Sequence, residues 1–199
     1  MKKIWAFAGL AVLYALSAAR GDGTAAAPDG PRFTADGRLE RPANYREWVW
    51  LSSGLGMSYN PAAPSRVTAD PPFDNVFVTA AAYRAFLQSG KWPDRTMFVL
   101  EVRASQSQGS INRQGHYQGA RLGMEAEVKD ERRFPGGWAF FGFDGDAGSA
   151  AAIPRSASCY SCHAHNGAVD NTFVQFYPTL REVARQKGTL RPVTETPVR

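Results

Sequence analysis

The stretch LGMEAEV, residues 122–128, alternates strictly between apolar side chains and glycine or glutamate. Successive side chains of a β-strand point to opposite faces, so this period of two predicts a strand. One face of the strand is apolar, and the other carries Glu125 and Glu127. Because an apolar strand face has to be covered, the chain must supply neighbouring strands and a core.

Three segments around this stretch also predict strands. Residues 75–78 form a short one, residues 96–103 form a longer one, and WAFFGF at residues 138–143 follows the turn PGG. The first half of residues 96–103 is apolar on both faces, which indicates a strand that is covered on both sides.

The clearest helical signals lie at residues 80–89 and 179–187. The first segment has Thr79 as an N-cap, Gly90 at its C-terminal end and apolar side chains on one face. The second would form a terminal helix.

Two further helices are predicted with less regular patterns. Residues 44–54 (NYREWVWLSSG) lie between a proline and a terminal glycine. Asp170 can cap a helix that begins NTFVQFY, which Pro178 must kink or restart because proline lacks the N–H donor.

The N-terminal segment predicts export. Lys2 and Lys3 precede an apolar run at residues 4–16, and the small residues 17–19 follow it. This order is typical of a secretory signal, residues 1–19, that is removed after translocation. The apolar run is shorter than the roughly 20 residues that span a bilayer, although an uncleaved anchor stays an alternative. We therefore expect a periplasmic or otherwise exported protein.

The rest of the chain predicts one domain between two loose ends. Residues 20–41 predict a flexible linker, residues 42–188 a single folded domain and residues 189–199 a loose tail. The formal charge is +5, and loss of Lys2 and Lys3 with the signal lowers it to +3. The arginines are scattered, so the sequence predicts no nucleic-acid-binding surface.

The two cysteines of the chain lie in the motif CYSCH, at Cys159, Cys162 and His163. Exported proteins usually use cysteines in disulfides, but two cysteines three positions apart and followed by histidine are the pattern of c-type haem attachment. Thiols at this spacing reach the two vinyl groups on one edge of a porphyrin, and the adjacent imidazole ligates the iron. The motif therefore predicts one covalently attached haem c with His163 as its proximal ligand.

Two other interpretations of the motif stay open. A CxxC pair can be a thioredoxin-like redox centre, but that centre opens a helix after a strand in a βαβ unit, and the sequence predicts none. The cysteines with His163 and His165 also match zinc ligands in type, although residues this crowded chelate one metal poorly.

The sixth ligand of the iron decides whether such a haem transfers electrons or binds small molecules. The side chains that bear on this question are Met57, Met97, Met124, His116 and His165. Met97 and Met124 lie on apolar strand segments and are expected in the core. His165 is too close to His163 to reach over the ring, and His116 is expected in a surface turn. Met57, in the glycine-flanked loop GLGMSYN, stays an alternative ligand.

The motifs and their order resemble the cytochrome P-460 family. The resemblance covers roughly residues 33–187 and rests on NYREWV, GMEAEVKD, RFPGGWAFFGF and CYSCHAHNGAVDNTFVQFYPTL. It implies a periplasmic protein of the α+β class, mainly antiparallel β-sheet with a few flanking helices and a single haem-binding domain. It also implies a homodimer, with the haem against the sheet and an open distal site opposite His163.

One position departs from the hydroxylamine-oxidising enzymes of that family, which carry a lysine cross-linked to the porphyrin. Their strand motif T-V-T-V-K-E corresponds to TMFVLE at residues 96–101, where Leu100 stands in the place of the lysine. Leucine has no nucleophilic nitrogen, so the cross-link cannot form at this position. The sequence thus resembles the cytochrome c′-beta branch, which has an uncross-linked haem and an apolar distal pocket, and binds nitric oxide and carbon monoxide.

The resemblance also suggests residues of the pocket. Phe98 lies two residues before Leu100, hence on the same strand face, and Phe77 lies in the preceding strand. Both are at least as compatible with ordinary core packing. The distal proton acceptor of the hydroxylamine-oxidising enzymes corresponds to Glu125, which is equally compatible with a carboxylate on a wet strand face.

Three functions are consistent with these residues. The first is a cytochrome that binds nitric oxide or a similar small ligand at an open distal site. The second is an oxidoreductase that acts on hydroxylamine or nitric oxide, with Glu125 as base and a small cytochrome as electron acceptor. The third is an electron carrier with Met57 or another side chain as sixth ligand.

Overall fold

The computed structural model describes residues 29–58 and 70–192, and five antiparallel strands in it form the central sheet. In chain order the strands are β1 (Leu39–Glu40), β2 (Val49–Leu55), β3 (Phe73–Val78), β4 (Met97–Gln106), β5 (Tyr117–Lys129), β6 (Trp138–Gly142) and β7 (Ser149–Ala150). The α-helices are α1 (Ala80–Ser89), α2 (Ser158–Asn166) and α3 (Pro178–Gln186), and 3-10 turns lie at Tyr45–Glu47 and Val174–Phe176. This mainly antiparallel α+β architecture confirms the expected fold class.

The sheet has the order β2-β3-β4-β5-β6, and β1 pairs separately with β7. Its register aligns Phe98 of β4 with Glu127 of β5, and Leu100 with Glu125. Directly opposed residues of neighbouring strands share a face of the sheet. These four side chains therefore belong to one face.

Both faces of the sheet are covered. On one face Val99 and Ala126 belong to a core that includes Leu39. On the other face the core includes Phe86 of α1 and Leu180 of α3. Strand β4 is thus buried from both sides, as its apolar first half predicts.

Helix α1 has the bounds and the caps that the sequence predicts. The Oγ1 of Thr79 accepts a hydrogen bond from the backbone N–H of Ala82 at 3.4 Å. Gly90 ends the helix in the left-handed conformation, with φ of 68°, and its N–H donates to the carbonyl of Phe86. The terminal helix is also confirmed, with Pro178 at its first position, where the missing N–H costs nothing.

The predicted helix at residues 44–54 is wrong. Only Tyr45–Glu47 form a helical turn, and Val49–Leu55 pair with β3 as an edge strand. Leu51 is buried whereas Trp50 is 57% exposed, which is the alternation of a strand. A short isolated helix is marginal, whereas the strand completes a hydrogen-bonded ladder and buries Leu51.

The predicted helix cap at Asp170 is also wrong. Asp170 has φ of 48° and lies in a tight turn that the N–H of Thr172 closes by donating to the carbonyl of Val169 at 2.8 Å. An N-cap residue has extended backbone, so this left-handed conformation is incompatible with capping. The chain then forms a single 3-10 turn at Val174–Phe176.

The folded domain extends past the boundaries predicted from composition. Phe33 packs against the core and Leu39 is fully buried, although both fall in the predicted linker at residues 20–41. At the other end, the Oγ1 of Thr189 donates to the carbonyl of Gly90 at 2.7 Å. Residues at both ends therefore make core contacts or hydrogen bonds that amino-acid composition does not predict.

The predicted signal at residues 1–19 lies outside the described residues, as do the last seven residues of the predicted tail. Within residues 29–58 and 70–192, no helix has the length and apolar character that crossing a membrane requires.

We expect Phe86→Ala to destabilise the fold strongly. The side chain is fully buried and its ring centroid lies 4.2 Å from that of Trp92. Its loss leaves a cavity and should lower the free energy of unfolding by about 3–5 kcal/mol in urea titrations. The control is Leu87→Ala on the same helix, where the side chain is 37% exposed and the change should stay near 0.5 kcal/mol. Equal losses for the two variants would contradict the assignment of the buried face.

Candidate functional site

Helix α2 carries the cysteine motif and forms one wall of a cavity. Cys159 and Cys162 lie one helical turn apart, so their side chains share a face of the helix. Both cysteines and His163 line a cavity of about 680 Å³. That volume is within the roughly 300–1,000 Å³ typical of small-molecule and cofactor sites. The structure therefore brings the three motif residues together on a cavity.

A backbone hydrogen bond and two aromatic rings orient His163. Its Nδ1 lies 2.9 Å from the carbonyl oxygen of Asn171, which can only accept. The rings of Phe140 and Phe173 flank the imidazole, with centroids 4.5 and 4.4 Å away. Because Nδ1 is the donor, Nε2 keeps its lone pair and is the nitrogen available to a metal.

A buried carboxylate lies beside His163. One oxygen of Glu127 is 3.4 Å from Nδ1, and the side chain is only 12% exposed. Among the described residues this oxygen, Oε1, has no hydrogen-bond partner of good geometry. Burial raises the pKa of the Glu127 carboxyl, and the neighbouring imidazole opposes that rise. Burial lowers the pKa of His163, but Glu127 and the carbonyl of Asn171 outweigh it and raise that pKa.

The sheet supplies an apolar wall to the same cavity. Phe98, Leu100 and Val76 line it from β3 and β4. Phe98 is buried and its ring also contacts Trp92 edge-on, at 4.8 Å between centroids. Leu100 is half-buried. Phe98 and Leu100 therefore occupy the positions expected of pocket residues.

Phe77 has to be removed from the expected pocket. It pairs with Val99 in the register of β3 and β4, which places it on the face opposite to Leu100. Its ring packs against Tyr45 at 5.6 Å between centroids, at the edge of the other core. Its position in a neighbouring strand correctly predicted that Phe77 belongs to the same sheet as Leu100. The face of the sheet on which a side chain lies depends on the register between strands, which the sequence pattern did not give.

Two carboxylates besides Glu127 interrupt the apolar character of the cavity wall. Glu125 lines the cavity as expected, and Asp74 of β3 joins it. Burial raises the pKa of Asp74, and the charge of Glu125 raises it further. The cavity can therefore hold a proton on a carboxyl group at a higher pH than a free aspartate would.

Met57 also reaches the cavity. Its side chain lies over Gly54, where a Cβ atom would come within 2.4 Å of the Met57 sulfur. A larger residue at position 54 would therefore force the Met57 side chain to shift. Of the Met and His side chains considered from the sequence, Met57 is the one that the structure places on the cavity wall.

The other four lie elsewhere. Met97 and Met124 are buried in the core on the face of the sheet away from the cavity, which confirms that they are packing residues. His116 is exposed, with its Nδ1 2.9 Å from the hydroxyl of Ser105. His165 is exposed on α2.

The two competing interpretations of the cysteine motif receive no support. The strand pairs in the described part of the chain are antiparallel, so that part lacks the βαβ unit of a thioredoxin-like centre. Burial raises the pKa of the Cys159 thiol, whereas a redox thiol needs a lowered one. Across residues 29–58 and 70–192, no group of three His, Cys, Asp or Glu side chains is arranged to hold a metal ion.

Sequence reasoning missed Asp74 and Glu127. Glu127 lies two residues after Glu125, so the period of two already placed it on the same face. Asp74 lies two residues before Val76, but the predicted strand began at residue 75. One more residue of strand would have identified Asp74.

Gly167, at the end of α2, lies close to the turn that holds His163. A Cβ atom there would lie 2.7 Å from the carbonyl carbon of Asn171 and 2.7 Å from the carbonyl oxygen of His163. Both are backbone atoms, one in the turn and one in α2, so they can yield only if the turn or the helix moves.

We therefore expect Gly167→Ala to lower the free energy of unfolding by about 1–3 kcal/mol in chemical denaturation, the usual effect of overpacking. The matched control is Gly148→Ala, where a Cβ atom meets nothing within 4 Å. A Gly167→Ala protein as stable as the control would show that the helix and the turn are not in this contact.

The donor set and the shape of the cavity fit a haem. Two thiols on one helix face, an imidazole with a free Nε2 and an apolar sheet wall surround one space. The carboxylates lie on the sheet side, where Asp74 and Glu125 come from β3 and β5.

Comparison with known proteins agrees with this fit. The profile of the Cytochrome P460 family matches residues 42–174, about two thirds of the 199 residues. No protein of curated function gives a significant match. Membership of this family implies a haem cofactor and a cytochrome. The chain belongs to the Cytochrome P460 family.

Proposed function

We propose that this chain is an exported cytochrome that carries one haem c and binds nitric oxide, or a similar small neutral ligand, at an open distal site. Cys159 and Cys162 would form the thioether bonds, and Nε2 of His163 would ligate the iron. The observation that carries the proposal is the cavity that places these three residues opposite a sheet wall with Leu100 and Phe98.

The haem would supply an iron centre with one free coordination position. The protein would contribute the orientation of His163 through Asn171, the attachment through the cysteines, and the polarity around the free position. Nitric oxide and carbon monoxide bind ferrous haem without a hydrogen-bond donor, whereas bound dioxygen gains from one. Apolar side chains at Leu100 and Phe98 therefore favour the first two ligands.

The absence of a lysine at position 100 supports assignment to the cytochrome c′-beta branch. Leu100 is half-buried in the wall of the cavity, where it offers only methyl groups. A porphyrin in this cavity would keep its ring unmodified by that side chain. We expect export from the N-terminal segment and a homodimer from the family resemblance, and a small cytochrome as electron acceptor if the protein is an oxidoreductase.

The direct test is the absorption spectrum of the chain purified from a host that exports it and attaches c-type haem. We expect a high-spin ferric spectrum and a ferrous spectrum that shifts on adding nitric oxide or carbon monoxide. The double variant Cys159→Ala/Cys162→Ala should carry no covalently attached haem, as measured by mass spectrometry of denatured protein. A low-spin spectrum that does not change on adding carbon monoxide would contradict an open site. If Met57→Ala then converts the spectrum to high-spin, Met57 is the sixth ligand.

An oxidoreductase acting on hydroxylamine or nitric oxide is the second candidate, and the pair Asp74 and Glu125 favours it. Both carboxylates line the cavity, and a base near the reacting molecule can accept the protons that oxidation of hydroxylamine releases. Burial and the charge of Glu125 raise the pKa of Asp74, so its carboxyl group holds a proton at a higher pH than a free aspartate does.

If this second function operates, Glu125→Gln should lower hydroxylamine turnover with an artificial electron acceptor by about 10²-fold or more, the usual contribution of a general base. The control is Glu182→Gln, which removes the same charge from an exposed position on α3. If the wild-type protein binds nitric oxide but does not turn over hydroxylamine, the oxidoreductase function is contradicted and only the ligand-binding function is supported.

A further inference from the structure

Lys129, the last residue of β5, is an unusual lysine because it is buried. Lys129 is only 9% exposed. Its ammonium group donates to the carboxylate of Asp170 at 2.6 Å and to the carbonyl of Trp92 at 3.0 Å. Glu131 lies 3.3 Å from the same nitrogen, but that carboxylate is largely exposed. A buried ammonium has to be paired, and the least exposed of its partners are Trp92 and Asp170.

Asp170 belongs to the tight turn that follows α2. Asp170 and Asn171 have φ of 48° and 64°, a left-handed conformation that costs about 1–2 kcal/mol for most side chains. Aspartate and asparagine tolerate it better than other residues. The turn is also pinned from the core, since the indole N–H of Trp92 donates to the hydroxyl of Thr172 at 2.8 Å.

The same turn presents the acceptor for His163. The carbonyl of Asn171, directly after Asp170, accepts from Nδ1 at 2.9 Å. Phe173, two residues further, packs against the imidazole with its ring plane tilted by 50°. A movement of the turn therefore changes both the length of this hydrogen bond and the orientation of the ring.

We propose that Lys129 is a positioning residue for the proximal histidine. Through its ion pair with Asp170 it holds the turn so that the carbonyl of Asn171 receives a strong hydrogen bond from His163. Such an acceptor raises the basicity of Nε2, and a more basic ligand stabilises ferric over ferrous iron. Lys129 thereby lowers the reduction potential of the haem. The inference rests on the proposed ligation of iron by His163.

Replacing Lys129 by Met separates the effect of the hydrogen bond from the direct effect of the lysine charge, because the two change the midpoint potential in opposite directions. Removing a positive charge near the iron disfavours the gain of an electron and lowers the midpoint potential. Weakening the hydrogen bond from His163 raises the midpoint potential and lowers the frequency of the iron–histidine stretch in ferrous protein. We expect the second result.

The experiment compares holoprotein of the wild type, Lys129→Met, Lys129→Arg and Lys187→Met at equal haem content. Lys187 is exposed after α3 and loses the same charge, so its variant is the matched control. Potentiometric titration and resonance Raman spectroscopy should show a raised potential and a lowered stretch for Lys129→Met, recovery for Lys129→Arg and no change for Lys187→Met. An unchanged or lowered potential in Lys129→Met, or equal shifts in both methionine variants, would overturn the proposal.

A second variant keeps the test decisive if Lys129→Met does not fold. Asp170→Asn removes the ion pair at a partly exposed carboxylate, and asparagine suits the left-handed backbone. Its iron–histidine stretch should fall, and an unchanged frequency would overturn the role of Lys129. Wild-type protein without covalent haem would overturn the proposed function as well. If the wild type carries covalent haem and the variants have its midpoint potential and iron–histidine stretch, only this inference is overturned.

Discussion

The alternation of side chains along β4 and β5 is the constraint on which the rest of the structure depends. Successive residues point to opposite faces, so the two strands have to close a core with Val99 and Ala126 and line a cavity with Phe98 and Glu127. A shift of register by one residue would exchange the two sets. The chemistry of the cavity is therefore tied to the packing of the core behind it.

Strand β5 also links the cavity to the turn that follows α2. Glu127 and Lys129 are two residues apart on one face of the strand. The first lies beside the imidazole of His163, and the second holds Asp170. The backbone carbonyl of Asn171 completes this arrangement at 2.9 Å from Nδ1. One strand thus places a carboxylate beside His163 and an ammonium group on the turn that carries Asn171.

The sheet wall of the cavity combines two kinds of surface. Leu100 and Phe98 present hydrocarbon, and Asp74 and Glu125 present carboxyl groups. Neutral diatomic ligands need only the first surface, whereas proton-coupled oxidation needs the second as well. Under the two proposed functions, the balance between ligand binding and turnover would depend on how far Asp74 and Glu125 lie from the bound molecule.

The sequence by itself predicted the chemistry of attachment and several of the main elements. CYSCH behind a predicted export signal predicts covalent haem because the spacing of the thiols and imidazole is local, and Thr79 and Gly90 define α1 because capping is local too. Sequence reasoning also identified Glu125, Leu100 and Phe98 through period and resemblance. It failed where the outcome depends on partners far along the chain. Val49–Leu55 form a strand rather than a helix because they pair by hydrogen bonds with β3. Phe77 lies on the face away from the cavity because of the register between β3 and β4. Only the folded chain brought Lys129, Asp170 and His163 together, because the contacts between them join β5 to a turn some 40 residues later, and no local pattern specifies such a distance.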